Sequence, residues 1–119
     1  MPSPIVYFEI TGKDNAVLED FYRAVFDWQL TPAGDHYSHV IPGGGINGGI
    51  GRSMGGGSGY VTFYAEVADI AQTLTVVEGR GGQRVMGPEQ MPNGPLLALF
   101  TDPEGRTIGI IQAGSLRSS

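Results

Sequence analysis

Two short stretches hold the side chains best suited to chemistry, IVYFEI at residues 5–10 and YVTFYAEV at residues 60–67. In an extended chain successive side chains point to opposite faces. Tyr7 and Glu9 therefore share one face of the first stretch, and Thr62, Tyr64 and Glu66 share one face of the second. The opposite face carries Val6, Phe8, Val61, Phe63 and Ala65, an apolar set suited to packing under helices. A carboxylate beside a phenol can transfer protons and hold polar atoms of a ligand. Glu9 and Tyr7 are accordingly the candidate acid–base residues. Tyr7, Glu9, Thr62, Tyr64 and Glu66 are candidate ligand contacts, with Phe100 and Trp28 as further stacking surfaces. A partly hydrated sheet face, its polar groups satisfying one another, fits the same pattern.

Other chemistries find less to work with. The two histidines, His36 and His39, stand three apart in a strand-like stretch. That spacing puts them on opposite faces, so they make a poor chelating pair, and exposed or edge histidines are expected. There is no cysteine, which excludes disulfides, thiolate catalysis and cysteine-based zinc sites. Residues 43–48, GGGING, satisfy G-x-G-x-x-G, but the following GIGRSMGGGSG cannot open a helix and no G-K-[ST] is present. The formal net charge is −5 and no Lys/Arg cluster occurs, which argues against nucleic acid or an anionic membrane as partner. It suits a neutral or cationic ligand better than an anionic one. No apolar run approaches the ~18 residues of a membrane span, and the N-terminal stretch lacks the pattern of a signal peptide. A cytoplasmic location is the expectation.

The elements that must position these residues read as two unequal copies. The first is a strand (PIVYFEI), a helix (NAVLEDFYRAVFDWQL) in which Val17, Leu18, Phe21, Val25 and Trp28 recur at helical spacing, a short strand HYSHVIP, and the glycine-rich GINGGIG. Asp14 or Asn15 is its N-cap. The second is a strand (GYVTFYAEV), a helix (ADIAQTLTVVEGRGG) ended at Gly79–Gly82, then QRVMGPEQMP, PLLALFTD and RTIGIIQ, with DPEG as a turn. An offset of about 55 residues superposes Val6 on Val61, Phe8 on Phe63, Asp14 on Asp69 and Phe21 on Val76. Near the ends it grows to about 60, placing Gly49 on Gly109 and Ile50 on Ile110. The drift predicts extra residues in the PEQMPNGP loop of the second copy.

This repeat resembles the vicinal oxygen chelate superfamily, which includes glyoxalase I, bleomycin-resistance proteins and extradiol dioxygenases. The phrases that carry the likeness are IVYFEI, LEDFYRAVFDWQL, VADIAQTL and, most distinctively, FTDPEGRTIGIIQ. The resemblance implies an α+β fold of two tandem βαβββ modules forming a curved mixed sheet around a cavity. It implies one domain over residues 1–119, with module 1 at about 4–52, a Gly-rich connector at 53–59, module 2 at about 60–112 and a tail at 113–119. It also implies a homodimer. Its usual divalent metal is held by His and Glu side chains on the first and last strand of each module. Here those positions fall on Tyr7 and Gly49, and on Thr62 (or Phe63) and Gly109. None is His, Glu or Asp, so neither a metal nor another cofactor is expected. The reading that follows is a metal-free, small-molecule binding (sequestering) protein whose ligand is apolar or aromatic. The alternative is a lyase, isomerase or dioxygenase-type enzyme of the same superfamily, using Glu9 and Tyr7 or a displaced metal site.

Overall fold

A computed structural model describes residues 2–53, 55, 57–92 and 94–115. Met1, Met54 and Gly56 of the expected connector, Asn93 of the PEQMPNGP loop and residues 116–119 of the expected tail lie outside the described residues.

The chain divides into two units, residues 6–63 and residues 1–5 with 64–119. The first comprises β1 (Ile5–Gly12), α1 (Asn15–Phe26), β2 (Gln29–Pro32), β3 (Tyr37–Ile41) and β4 (Gly48–Arg52). Its strands lie in the order β2-β3-β4-β1, with β1 parallel to β4 and the other neighbours antiparallel. The second comprises β5 (Val61–Val67), α2 (Ile70–Gly79), β6 (Gln83–Gln90), β7 (Leu96–Thr101) and β8 (Thr107–Gln112), in the order β5-β8-β7-β6. Here β5 is parallel to β8, and the remaining pairs are antiparallel. The fold is α+β, built from two βαβββ units as the repeat requires.

Each helix starts on an aspartate at the same place in the repeat. The Asp14 carboxylate accepts the backbone N–H groups of Ala16 (3.1 Å) and Val17 (3.3 Å), and that of Asp69 accepts Gln72 N–H (3.1 Å). A cap of this kind stabilises a helix by about 1 kcal/mol. The sequence reading carried the first helix through Leu30, but it stops at Phe26. Asp27 turns left-handed there (φ 57°), its N–H bonds to Arg23 C=O at 2.9 Å, and the chain leaves as β2. In α2 the left-handed residue is Gly81 (φ 95°), and Gly82 N–H closes on Val77 C=O at 2.9 Å.

Each helix covers its own sheet. Under α1, Ile10, Val40 and Ile50 are buried, with Phe8, Leu18, Tyr22, Trp28 and Leu30 packed on them. Under α2, Ile70, Leu74, Ala98 and Ile110 are buried, with Ala65, Val67, Leu96 and Phe100 packed on them. Each fully buried aliphatic side chain is worth about 1.5–3 kcal/mol. Not every apolar position of the alternation is covered. Val17, Phe21 and Val25 of α1 are more than half exposed. Val61 and Phe63, expected under a helix, are 74 % and 37 % exposed, because the cluster beneath α2 begins further along β5, at Ala65. The extra residues of the second copy lie mainly in β6, which is twice as long as β2 and carries two register shifts against β7. Among the described residues no helix is long and apolar enough to cross a membrane.

Candidate functional site

Pairing register brings the chemistry of the first unit into one row. Glu9 on β1 lies beside Gly49 on β4, which lies beside His39 on β3. Tyr7, two residues before Glu9, and Tyr37, two before His39, share that face by strand parity. Tyr60 reaches it from the residue before β5. Its N–H donates to Thr11 Oγ1 (3.0 Å), its C=O accepts Thr11 N–H (2.8 Å), and Gly59 supplies the turn at φ 83°.

These side chains form one network. Tyr37 O–H donates to Glu9 Oε2 at 2.9 Å, and Tyr60 O–H donates to Glu9 Oε1 at 2.7 Å. The Tyr7 and Tyr37 hydroxyls are 2.6 Å apart, and Tyr7 Oη is 3.4 Å from His39 Nδ1. The Tyr37 ring meets the His39 ring edge-on, with centroids 5.6 Å apart. Tyr7, Glu9, Tyr37 and Tyr60 are half-buried, whereas His39 is exposed. Burial, reinforced by the Glu9 charge and partly offset by the hydrogen bond with Tyr37, pushes the Tyr7 phenol up to about 12. Burial and then the charge of Glu9 push the Tyr37 phenol further in the same direction. Both are neutral hydrogen-bonding groups near pH 7.

Gly49 sits directly beneath this network. A Cβ placed on it would overlap the Tyr37 hydroxyl and lie 2.5 Å from Tyr7 Oη, inside the 3.0 Å that real Cβ atoms respect. Its neighbours in β4 are built likewise, with the Phe8 ring over Gly48 and the Tyr37 ring over Gly51. The second unit repeats the device, because the Tyr64 ring covers Gly109, its partner on β8.

Tyr7 and Glu9 are together. Thr62 is buried, its hydroxyl 3.3 Å from the carbonyl of Phe63. Tyr64 is 4 % exposed over Gly109, and Glu66, half-buried, donates its backbone N–H to Pro4 C=O at 2.8 Å, both in the second unit. Phe100 packs with the cluster under α2, on the face opposite Leu99, which is the residue paired with Gly109. Trp28 is likewise committed, 5.3 Å from Phe8 and 5.8 Å from Tyr22 between ring centroids. Tyr37, Tyr60 and His39 were not among the expected site residues. The alternation Tyr37-x-His39 in β3 was the available signal.

A divalent metal at the four positions that the resemblance implies does not fit these residues. Gly49 and Gly109 offer no donor, and rings or hydroxyls fill the space where one would project. Tyr7 is a neutral phenol already bonded to a second phenol. Among the described residues no three His, Cys, Asp or Glu side chains converge.

With the fold and this geometry established, the family is clear. The profile of the Glyoxalase/Bleomycin resistance protein/Dioxygenase superfamily matches residues 5–110, and the chain belongs to that superfamily. No curated protein sequence matches it. Solved structures of the same fold include a superfamily member from Vibrio splendidus 12B01, 17 % identical, TM-score 0.63, with 93 % of this chain and 99 % of that one covered. A methylmalonyl-CoA epimerase variant from Streptomyces coelicolor, in complex with 2-nitronate-propionyl-CoA, is 12 % identical with TM-score 0.68 over all of both chains. A hypothetical protein from Bacillus halodurans C-125 is 11 % identical with TM-score 0.71, again over all of both chains.

Proposed function

We propose that this chain is a binding member of its superfamily, which captures a small molecule on the Tyr7–Glu9–Tyr37–Tyr60 cluster without a divalent metal at the family positions. The observation that carries this reading is the fit of Gly49 under two phenol hydroxyls, since phenols occupy the volume that a metal-binding side chain needs. A carboxylate fixed by two phenols offers hydrogen-bond acceptors beside aromatic surface. That set suits a neutral or cationic molecule with an aromatic or apolar body. The alternative of an enzyme with Tyr7 as base is weaker, because its phenol is pushed up to about 12 and a phenolate is scarce near pH 7.

Elemental analysis of protein purified without chelator should show no stoichiometric Mg, Mn, Fe, Ni or Zn, and a stoichiometric ion would sink the metal-free reading. A thermal-shift screen of small aromatic amines, neutral aromatics and aromatic acids should then give stabilisation by the first two classes. Glu9→Gln should weaken the response to amines. An unchanged response would remove Glu9 from the site.

A further inference from the structure

The second unit carries an apolar crevice of about 280 Å³ between α2 and the end of β7. One wall is α2, with Val76, Val77 and Arg80, and the other is Phe100 with Pro103. Gly82 lies at its base. A Cβ there would stand 2.6 Å from Val77 Cγ1 and 2.7 Å from the Thr101 carbonyl oxygen, so helix and strand close without a side chain between them. Val76, though apolar, is 56 % exposed along this crevice. The volume is that of about nine water molecules, which suits a ligand body of about as many non-hydrogen atoms.

Two charged side chains, Arg80 and Asp102, line the crevice, and they differ in what holds them. Asp102 Oδ1 accepts the backbone N–H groups of Glu104 and Arg106, both at 2.9 Å, and Oδ2 lies 3.6 Å from the Arg106 guanidinium. The DPEG turn thus uses this carboxylate as its own acceptor. Nearby acids are engaged as well, Glu104 with Arg106 at 3.6 Å and Glu78 with Arg84 at 3.5 Å. Among the described residues Arg80 makes no ion pair. A cation is favoured at the C-terminus of a helix, which accounts for Arg80 at the C-cap of α2 but not for the apolar walls beside it.

We propose that this crevice binds a small amphiphilic carboxylate, its aliphatic body between Val76, Val77, Phe100 and Pro103 and its head on the Arg80 guanidinium. The guanidinium fork matches a carboxylate with two parallel donors. Burial of the aliphatic body against both walls supplies the remaining affinity. Charges beyond about 10 Å are screened at ordinary salt, so the arginine at the crevice outweighs the net charge of −5. The crevice belongs to the second unit and uses no residue of the Glu9 cluster, so it stands or falls independently of the function proposed above.

The probes are octanoate and octanamide, which share a chain and differ in the charge of the head. Each is titrated into the full chain while NMR follows the backbone amides of Val76, Val77, Gly82 and Phe100. Octanoate should shift these signals saturably, and octanamide should bind about fivefold more weakly. Arg80→Gln, at an exposed position, should weaken octanoate about fivefold and leave octanamide within about twofold. Val76→Asp, which sets a like charge on the exposed wall, should abolish octanoate binding. Octanoate affinity unchanged by Arg80→Gln, or shifts confined to other residues, would overturn the site. So would shifts of these amides that follow protein concentration without any probe, because a second copy would then fill the crevice.

Discussion

Adding one methyl group at Gly49 should cost as much as deleting two hydrogen bonds. A Cβ at this position overlaps the Tyr37 hydroxyl, so that ring must leave its place. It leaves behind its bond to Glu9, a charge-assisted one worth about 1.5–3 kcal/mol, and its bond with Tyr7, worth about 0.5–1.5 kcal/mol. Gly49→Ala should therefore destabilise the protein by about 2–4 kcal/mol, a large share of a typical domain's 5–15 kcal/mol. Urea unfolding followed by the fluorescence of Trp28, the single tryptophan, reads this directly. The decisive measurement is the double-mutant cycle with Tyr37→Ala. Once the ring is gone the added methyl has room against it, so Gly49→Ala should cost about 2 kcal/mol less in that background. If the two single effects simply add, within about 0.5 kcal/mol, Tyr37 does not fill the space above Gly49 and the account of the site fails.

Alkaline pH offers a second test, because a phenol held up to about 12 in the folded chain ionises near 10 when unfolded. The neutral form is favoured by folding, so the stability is fully present below about pH 10 and is lost as pH rises toward 12. Tyr7 alone accounts for about 2–3 kcal/mol of that loss, and urea melts of Tyr7→Phe should be flatter over the same window. Gly59→Ala, at φ 83° and with its Cβ inside the Thr11 carbonyl, should cost about 2 kcal/mol or more and release Tyr60 from Glu9, seen as a changed Tyr60 hydroxyl signal. A stable variant with that signal intact would show that Gly59 does not position Tyr60.

Much of the fold was legible because the repeat gives two readings of each element. Asp14 and Asp69 mark the same helix start, and Gly49 and Gly109 the same strand position. The helix end at Phe26 was not legible, since Trp28 continues the helical spacing although Asp27 has already turned the chain. Glu9 and Tyr7 could be paired from strand parity alone. Their partners Tyr37 and Tyr60 lie 28 and 51 residues from Glu9, and only the registers of β3 on β4 and of Tyr60 on Thr11 bring them in. The direction of Phe100 was not legible for a different reason. The strand LLALFT is apolar on both faces, so alternation says nothing about which way Phe100 points.

Strand β4 also limits how this site can change. A glutamate or histidine at position 49 would collide with Tyr37 as long as that ring is present, whereas loss of Tyr37 with glycine retained opens a hole and strips Glu9 of a donor. Each single step is unfavourable although the pair is mutually compatible, so the two positions are epistatic. A lineage carrying this arrangement crosses a stability valley before it can acquire a metal ligand, and the glycine and the tyrosine hold each other in place.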